Sequence, residues 1–205
     1  MMSIAVFASG SGSNFEALVE RSRKQHWPQP ISLLLCDKPQ AKALERAERL
    51  RVPAVAFHPK EYKDKAAYEQ DVLHCLQEHN IEWIMLAGYM RLVGPTLLEA
   101  YPWRILNIHP SLLPAFQGKD AVRQALEYGV RWTGVTVHWV DEGMDTGPIL
   151  DQKPVLVEPH DTMETLQRKV QFVEHNLYPA VMYKLLTGRI LPPDPSSMEL
   201  KEEQQ

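Results

Sequence analysis

Five short apolar runs, at residues 4–8, 30–36, 52–57, 81–87 and 105–108, alternate with stretches of helical character, and this alternation restricts the chain more than any other feature. A continuous apolar run bounded by turn residues fits a strand buried on both faces, as the strands of a parallel sheet are. Between the runs, residues 14–24 place Phe15, Leu18 and Val19 on one helical face. Residues 41–51 are rich in the strong helix formers Ala, Leu, Glu and Arg. Residues 65–79 carry Ala67, Val72, Cys75 and Leu76 at helical spacing, and Gly94-Pro95 opens a short helix. Strand–helix–strand alternation at this pitch predicts parallel βαβ units in a doubly wound α/β fold.

The pattern changes after residue 110. Residues 119–128 read as a helix, and residues 133–141 alternate Val135, Val137 and Trp139 against Thr136, His138 and Val140, as an antiparallel or edge strand does. Residues 149–157 form a further strand, and residues 162–187 a long amphipathic helix ended by Gly188. The expected architecture is a mostly parallel sheet with a Rossmann-like N-terminal half and an antiparallel C-terminal extension. Residues 192–205, with three prolines and no apolar cluster, cannot bury a core, so they are expected to form a mobile tail after a single domain at residues 1–191.

A chain of 205 residues that is 44% hydrophobic supports one full core. Its net charge of −4 gives no basic excess for nucleic acid or an anionic membrane, so neither is an expected partner, and an anionic substrate would need a local cationic or amide-rich pocket. Cys36 and Cys75 lack C-x-x-C spacing and are expected to be reduced, half-buried packing residues of a cytoplasmic protein. The N-terminus has no cationic segment of the signal-peptide kind, and no stretch reaches the ~20 apolar residues that span a bilayer.

Gly10-Ser11-Gly12-Ser13-Asn14 lies between the first strand and the first helix. Its glycines permit close backbone approach, the helix start offers free N–H groups to an anion, and Ser13 and Asn14 add side-chain donors. The segment is neither a Walker A loop nor a full G-x-G-x-x-G, and a tight turn with no ligand would share its composition. Its place at the carboxyl end of a strand, where open α/β sheets bind ligands, favours the phosphate-holding alternative.

Asn107 and His109 are two apart on a strand ending at Pro110, so both side chains project to one face. Asp145 lies in Gly143-Met144-Asp145-Thr146-Gly147-Pro148. A carboxylate beside an imidazole raises its pKa and orients it. The three groups suit formyl transfer to an amine. Asn107 and a protonated His109 would donate to the oxyanion that develops at the formyl carbon, and Asp145, directly or through water, would move the proton. Each also has a plain structural alternative as a packing histidine, a cap or a turn residue. His138 faces the same cleft but is expected to pack or support, outside the catalytic set.

The segments Asn107-Ile108-His109-Pro110-Ser111-Leu112-Leu113-Pro114, Thr133-Gly134-Val135-Thr136-Val137-His138 and Asp145-Thr146-Gly147-Pro148 together resemble the signature of the folate-dependent formyltransferases. With the loop at residues 10–14 and Glu174-His175-Asn176-Leu177-Tyr178-Pro179, the resemblance covers residues 2–190 and narrows to the branch that formylates glycinamide ribonucleotide in purine biosynthesis. It implies a formyltransferase-type fold and 10-formyltetrahydrofolate as co-substrate, with no metal, in a monomer or homodimer. Asn107, His109 and Asp145 match the family's catalytic trio. Gly12, Ser13 and Asn14 match its phosphate loop, and Gln171 and Glu174 its ribonucleotide contacts. Met90, Arg91, Leu92 and Val93 match the folate-pocket segment, to which Asn107 also belongs, and Lys65 stands where the family often has an arginine near the folate. Gln117 replaces a common proline in a substrate-covering loop at residues 115–120, and Leu113-Pro114 is an expected cis peptide.

Within the same superfamily, a methionyl-tRNA formyltransferase would carry a C-terminal RNA-binding domain and a formyltetrahydrofolate deformylase an N-terminal regulatory one; neither is expected here. A non-enzymatic phosphate- or nucleotide-binding module would explain the loop at residues 10–14 but leave Asn107, His109 and Asp145 without a role.

Overall fold

A computed structural model of the chain describes residues 2–193, so most of the expected C-terminal tail, residues 194–205, lies outside the described residues. The elements run β1 (Ser3–Ala8), α1 (Ser13–Lys24), β2 (Ile31–Cys36), α2 (Lys42–Leu50), β3 (Ala54–Ala56), a 3-10 turn (Pro59–Glu61), α3 (Lys65–Glu78), β4 (Ile81–Leu86), α4 (Pro95–Ala100), β5 (Ile105–His109), α5 (Ala121–Tyr128), β6 (Trp132–Trp139), β7 (Ile149–Leu156) and α6 (Met163–Leu186). They build one seven-stranded sheet in the order β3-β2-β1-β4-β5-β6-β7. The first five strands pair in parallel, and β6 and β7 add antiparallel to β5 and β6, as the doubly wound reading with an antiparallel extension expects.

The continuous apolar runs become strands because the sheet is covered on both sides. In β1, Ile4, Val6 and Ala8 join the core layer beneath α1 and α6, while Ala5 and Phe7 join the opposite layer with Tyr68, Val72 and Leu76 of α3 and Leu97 of α4. Strands β2 and β4 repeat the alternation, with Leu34 and Met85 on the first side and Leu33, Leu35 and Ile84 on the second. Burial of each such aliphatic or aromatic side chain contributes roughly 1.5–3 kcal/mol.

Three expectations change. Strand β3 spans only Ala54–Ala56 because it is an edge with half-buried to exposed residues. Strand β6 is buried on both faces from Thr133 to Trp139, where the alternation implied one wetted face. Its polar face is covered by the segment after β5: the Thr136 hydroxyl donates to the Ser111 carbonyl (2.7 Å) and accepts from the Leu113 N–H (3.1 Å). Cys36 and Cys75 are free, and both are buried rather than half-buried; burial pushes the Cys36 thiol up to about 12.

Helix α6 ties the two halves together. It begins in a capping box in which Thr162 and Thr165 satisfy each other's N–H groups. Tyr178, fully buried, aims its hydroxyl between the carbonyls of Leu86 (3.1 Å) and Leu106 (3.0 Å), on β4 and β5. The strands whose ends carry the polar residues of interest are thereby fixed to the helix that carries Gln171 and Glu174.

Candidate active site

The chain leaves β1 to build β2 and β3 on one side, then crosses back to β4 on the other. At this reversal, outside the carboxyl ends of the strands, lies a cavity of about 520 Å³. Its walls come from the loop after β1, from residues 86–93 after β4, from the end of β5, from the turn around Asp145, and from Gln171 and Glu174 of α6.

Asn107 and His109 do share a face, the one turned away from α6. The Asp145 carboxylate sits between them: Oδ1 accepts from Asn107 Nδ2 (3.2 Å), and Oδ2 lies 3.3 Å from His109 Nδ1. Oδ2 also accepts from the Gly118 N–H (2.8 Å). Asp145 takes the left-handed region (φ 56°), where Asp is tolerated in a turn, and this turn aims the carboxylate inward. His109 Nε2 lies 2.8 Å from the Phe116 carbonyl, so the loop at residues 115–120 touches both His109 and, through Gly118, Asp145. The Leu113–Pro114 peptide is cis, as expected.

The protonation of His109 differs from the expectation. Burial holds its pKa below the ordinary histidine value and outweighs the Phe116 carbonyl and Asp145, which both act to raise it. For Asp145 burial works upward, but His138, the Gly118 amide and His109 together hold the carboxyl below its usual range. The site therefore pairs an ionised carboxylate with a neutral imidazole at neutral pH.

His138 belongs to this cluster. It lies directly opposite Asn107 across the antiparallel β5–β6 pair, and its Nε2 is 3.1 Å from Asn107 Nδ2 and 3.6 Å from Asp145 Oδ1. Its Nδ1 donates to the Trp139 carbonyl (2.7 Å), which leaves Nε2 as the acceptor and fixes the amide orientation of Asn107. The polar character of His138 beside a strand of Val and Trp was the only sequence signal; its partner depends on a register that spacing along the chain does not give.

At the other end of the cavity, Gly12 is the N-cap of α1 with φ 74°, and a Cβ there would lie 2.7 Å from Ala43 of α2. Only glycine lets the loop pack that closely. Arg46 of α2 donates from Nε to the Ser11 carbonyl (2.8 Å) and pairs with Glu16. It places a guanidinium beside the loop after β1, outside the cavity lining, a contact of which its place in a helix rich in Ala, Leu, Glu and Arg gave no sign. The Ser13 hydroxyl accepts from Gln171 Nε2 (2.7 Å), and Asn14 Nδ2 donates to Glu174 Oε2 (3.1 Å). Glu174 is buried, and burial pushes its carboxyl up to about 7 against the single hydrogen bond from Asn14. Asn14 Oδ1 is buried with no partner.

Met90, Arg91, Leu92 and Val93 line a third wall, with Met90 and Leu92 exposed to it. Lys65 does not reach the cavity lining; it stands behind this wall at the start of α3, 3.8 Å from Glu69. Among the described residues, no cluster of three His, Cys, Asp or Glu side chains is placed to hold a metal ion.

The profile of a family described as formyl transferase matches residues 2–182. Phosphoribosylglycinamide formyltransferase of Bacillus subtilis is 56% identical over 186 residues, which cover 91% of this chain and 95% of that protein. The crystal structure of phosphoribosylglycinamide formyltransferase from Bacillus halodurans superposes with a TM-score of 0.88 at 53% identity, covering 93% of this chain and 97% of that one. That of glycinamide ribonucleotide transformylase 1 from Geobacillus kaustophilus gives 0.87 at 55% identity, covering 91% and 99%.

Proposed function

The chain belongs to the formyl transferase family, and from that premise we propose that it transfers the formyl group of 10-formyltetrahydrofolate to the amine of glycinamide ribonucleotide, a step of purine biosynthesis. One observation carries the reading beyond family membership. Asn107 and His109 each place a nitrogen within 3.3 Å of the Asp145 carboxylate, at one end of a cavity whose other end is the loop after β1.

The ribonucleotide phosphate sits on the amides of Gly12, Ser13 and Asn14 at the start of α1, with Arg46 beside them and Gln171 and Glu174 along its sugar. The folate lies against Met90, Arg91, Leu92 and Val93, with its formyl group at Asn107. The neutral amine attacks the formyl carbon, so no nucleophilic side chain is required. As negative charge grows on the formyl oxygen, the Asn107 amide donates to it. The ring N–H of the neutral His109 donates to the same oxygen, and that hydrogen bond strengthens as the charge grows, so stabilisation is greater in the transition state than in the ground state. Asp145, ionised and fixed by the Gly118 amide, takes the proton that the amine loses and passes it, directly or through water, toward the folate nitrogen. His138 keeps one hydrogen of the Asn107 amide, which leaves the other to turn from Asp145 to the formyl oxygen.

Residues 1–191 form the catalytic unit. The unit is a monomer or a homodimer, as the family resemblance implies. Two free, buried cysteines fit the reducing cytoplasm. No described helix is long and apolar enough to cross a membrane. The test is direct: the protein is mixed with glycinamide ribonucleotide and 10-formyltetrahydrofolate, and products are followed by mass spectrometry. Formylated ribonucleotide should appear in step with tetrahydrofolate. Formate release without formylated ribonucleotide would make the chain a hydrolase, and ribonucleotide binding without turnover would make it a binding module.

A further inference from the structure

Between α3 and the loop after β4 lies a buried carboxylate that the chemistry above does not use. Glu69 is 3% exposed, and its Oε1 accepts from the backbone N–H of Gly94 at 2.6 Å. Gly94 opens α4 and has no side chain to cap its own turn. A Cβ on Gly94 would lie 2.6 Å from Glu69 Oε2 and 2.8 Å from Oε1, so the absence of a side chain is what lets the carboxylate reach the amide. Lys65 Nζ stands 3.8 Å from Oε1 as counter-charge. Burial pushes the Glu69 carboxyl up, and the Gly94 amide, Lys65 and Arg91 pull it back.

The neighbouring Tyr68 grips the same loop further upstream. Its hydroxyl is 2.8 Å from that of Tyr89, and the Arg91 guanidinium lies 5.3 Å from the centre of its ring. The Met90 N–H donates to Ser9 Oγ at 2.9 Å, which ties the loop to β1 as well. Neither Tyr68 nor Glu69 lines the cavity, whereas all of residues 90–93 do. A desolvated carboxylate is an expensive way to hold the backbone amides of Gly94 and Leu97 when an apolar contact would close the same space. Its advantage is direction, because a charge-assisted hydrogen bond fixes the amide it accepts from more narrowly than packing does.

We infer that Glu69, with Lys65 as its counter-charge, is a positioning residue for the folate-binding wall: its grip on Gly94 sets where Met90–Val93 present themselves to the co-substrate. The inference rests on the assignment of residues 90–93 to the folate made above. It also gives Lys65 a role from behind the wall rather than a contact in the cavity.

Steady-state kinetics of the intact enzyme test this. Glu69→Ala and Gly94→Ala should each raise KM for 10-formyltetrahydrofolate about tenfold, with kcat and KM for the ribonucleotide within about twofold. Glu69→Gln keeps an acceptor for the Gly94 N–H and should restore most of the affinity. The double variant Glu69→Ala/Gly94→Ala should be no worse than either single change, because loss of the carboxylate opens the space that the new methyl group fills. Additive losses in the double variant, equal rises in both KM values, a fall in kcat alone, or no change in Gly94→Ala would each overturn the inference. Should Glu69→Ala fail to fold, Gly94→Ala and Glu69→Gln decide the matter by the same KM split. A parent protein that transfers no formyl group would overturn the functional reading itself, and this inference with it.

Discussion

The two ends of the cavity handle their polar groups differently. Around Asp145, the groups are largely partnered within the protein: Asn107 and Gly118 donate to the carboxylate, His138 takes the second amide hydrogen of Asn107, and the single N–H of His109 finds an acceptor on whichever ring nitrogen carries it. Around α1, Asn14 Oδ1 is buried without a partner, and Glu174 has one hydrogen bond to set against nearly complete burial. Groups that must meet a transition state gain from being fixed beforehand, since reorganisation during reaction costs rate. Groups that recognise a polyhydroxylated ligand can be left incomplete, because the ligand supplies the missing partners and an analogue lacking them is rejected.

His109→Ala breaks the fixed end most severely. Transfer should fall by ~10³ in kcat/KM while circular dichroism and cooperative unfolding persist. Turnover near that of the parent would remove the imidazole from the oxyanion role. The next largest effect belongs to the incomplete end. Glu174 binds a proton in the native state up to about pH 7, whereas a carboxyl in the unfolded chain loses it near 4.5. The native state therefore holds the extra proton within that window, so stability falls as pH rises through it and levels off above, by about 3 kcal/mol in total. Urea unfolding at about pH 5 and about pH 8 should show this slope in the parent and not in Glu174→Gln. Equal slopes in the two would mean that Glu174 is as well partnered as Asp145.

Asp145→Asn should slow transfer by ~10² with KM for the ribonucleotide within twofold, since it removes the proton acceptor but touches nothing near α1. A large loss of ribonucleotide affinity would show that the two ends are coupled rather than separate. The smallest change is expected for Asn14→Ala, which should raise that KM by ~5-fold and leave kcat unchanged, in line with one hydrogen-bonding group.

Much of this was legible along the chain. The alternation of Ile4, Val6 and Ala8 against Ala5 and Phe7 needs only the period of a strand and two covering layers. The common face of Asn107 and His109 follows from the same period. Asp145 was legible as a turn carboxylate, but its distance from Asn107, 38 positions away, was not. His138 was visible and undervalued, because its importance comes from facing Asn107 across a strand pair. The lowered pKa of His109 reverses the direction that its carboxylate neighbour alone implied, because desolvation depends on everything packed around the ring. Lys65 and Arg46 show the same limit: Lys65 lies outside the cavity lining beside Glu69, and Arg46, one residue of a helix-forming stretch, meets the loop after β1; neither contact is written in the spacing.

What the sequence by itself determined was the set of strands and helices, their parallel winding, and the types of polar group at the strand ends. Those depend on periodicity and on chemistry carried by each residue and its near neighbours. Only the tertiary structure decided which of those groups touch, which hold protons, and which charged side chains face the cavity. Register and burial arise from segments far apart in the chain, and Coulomb and desolvation energies follow distance and exposure in space rather than separation along the backbone.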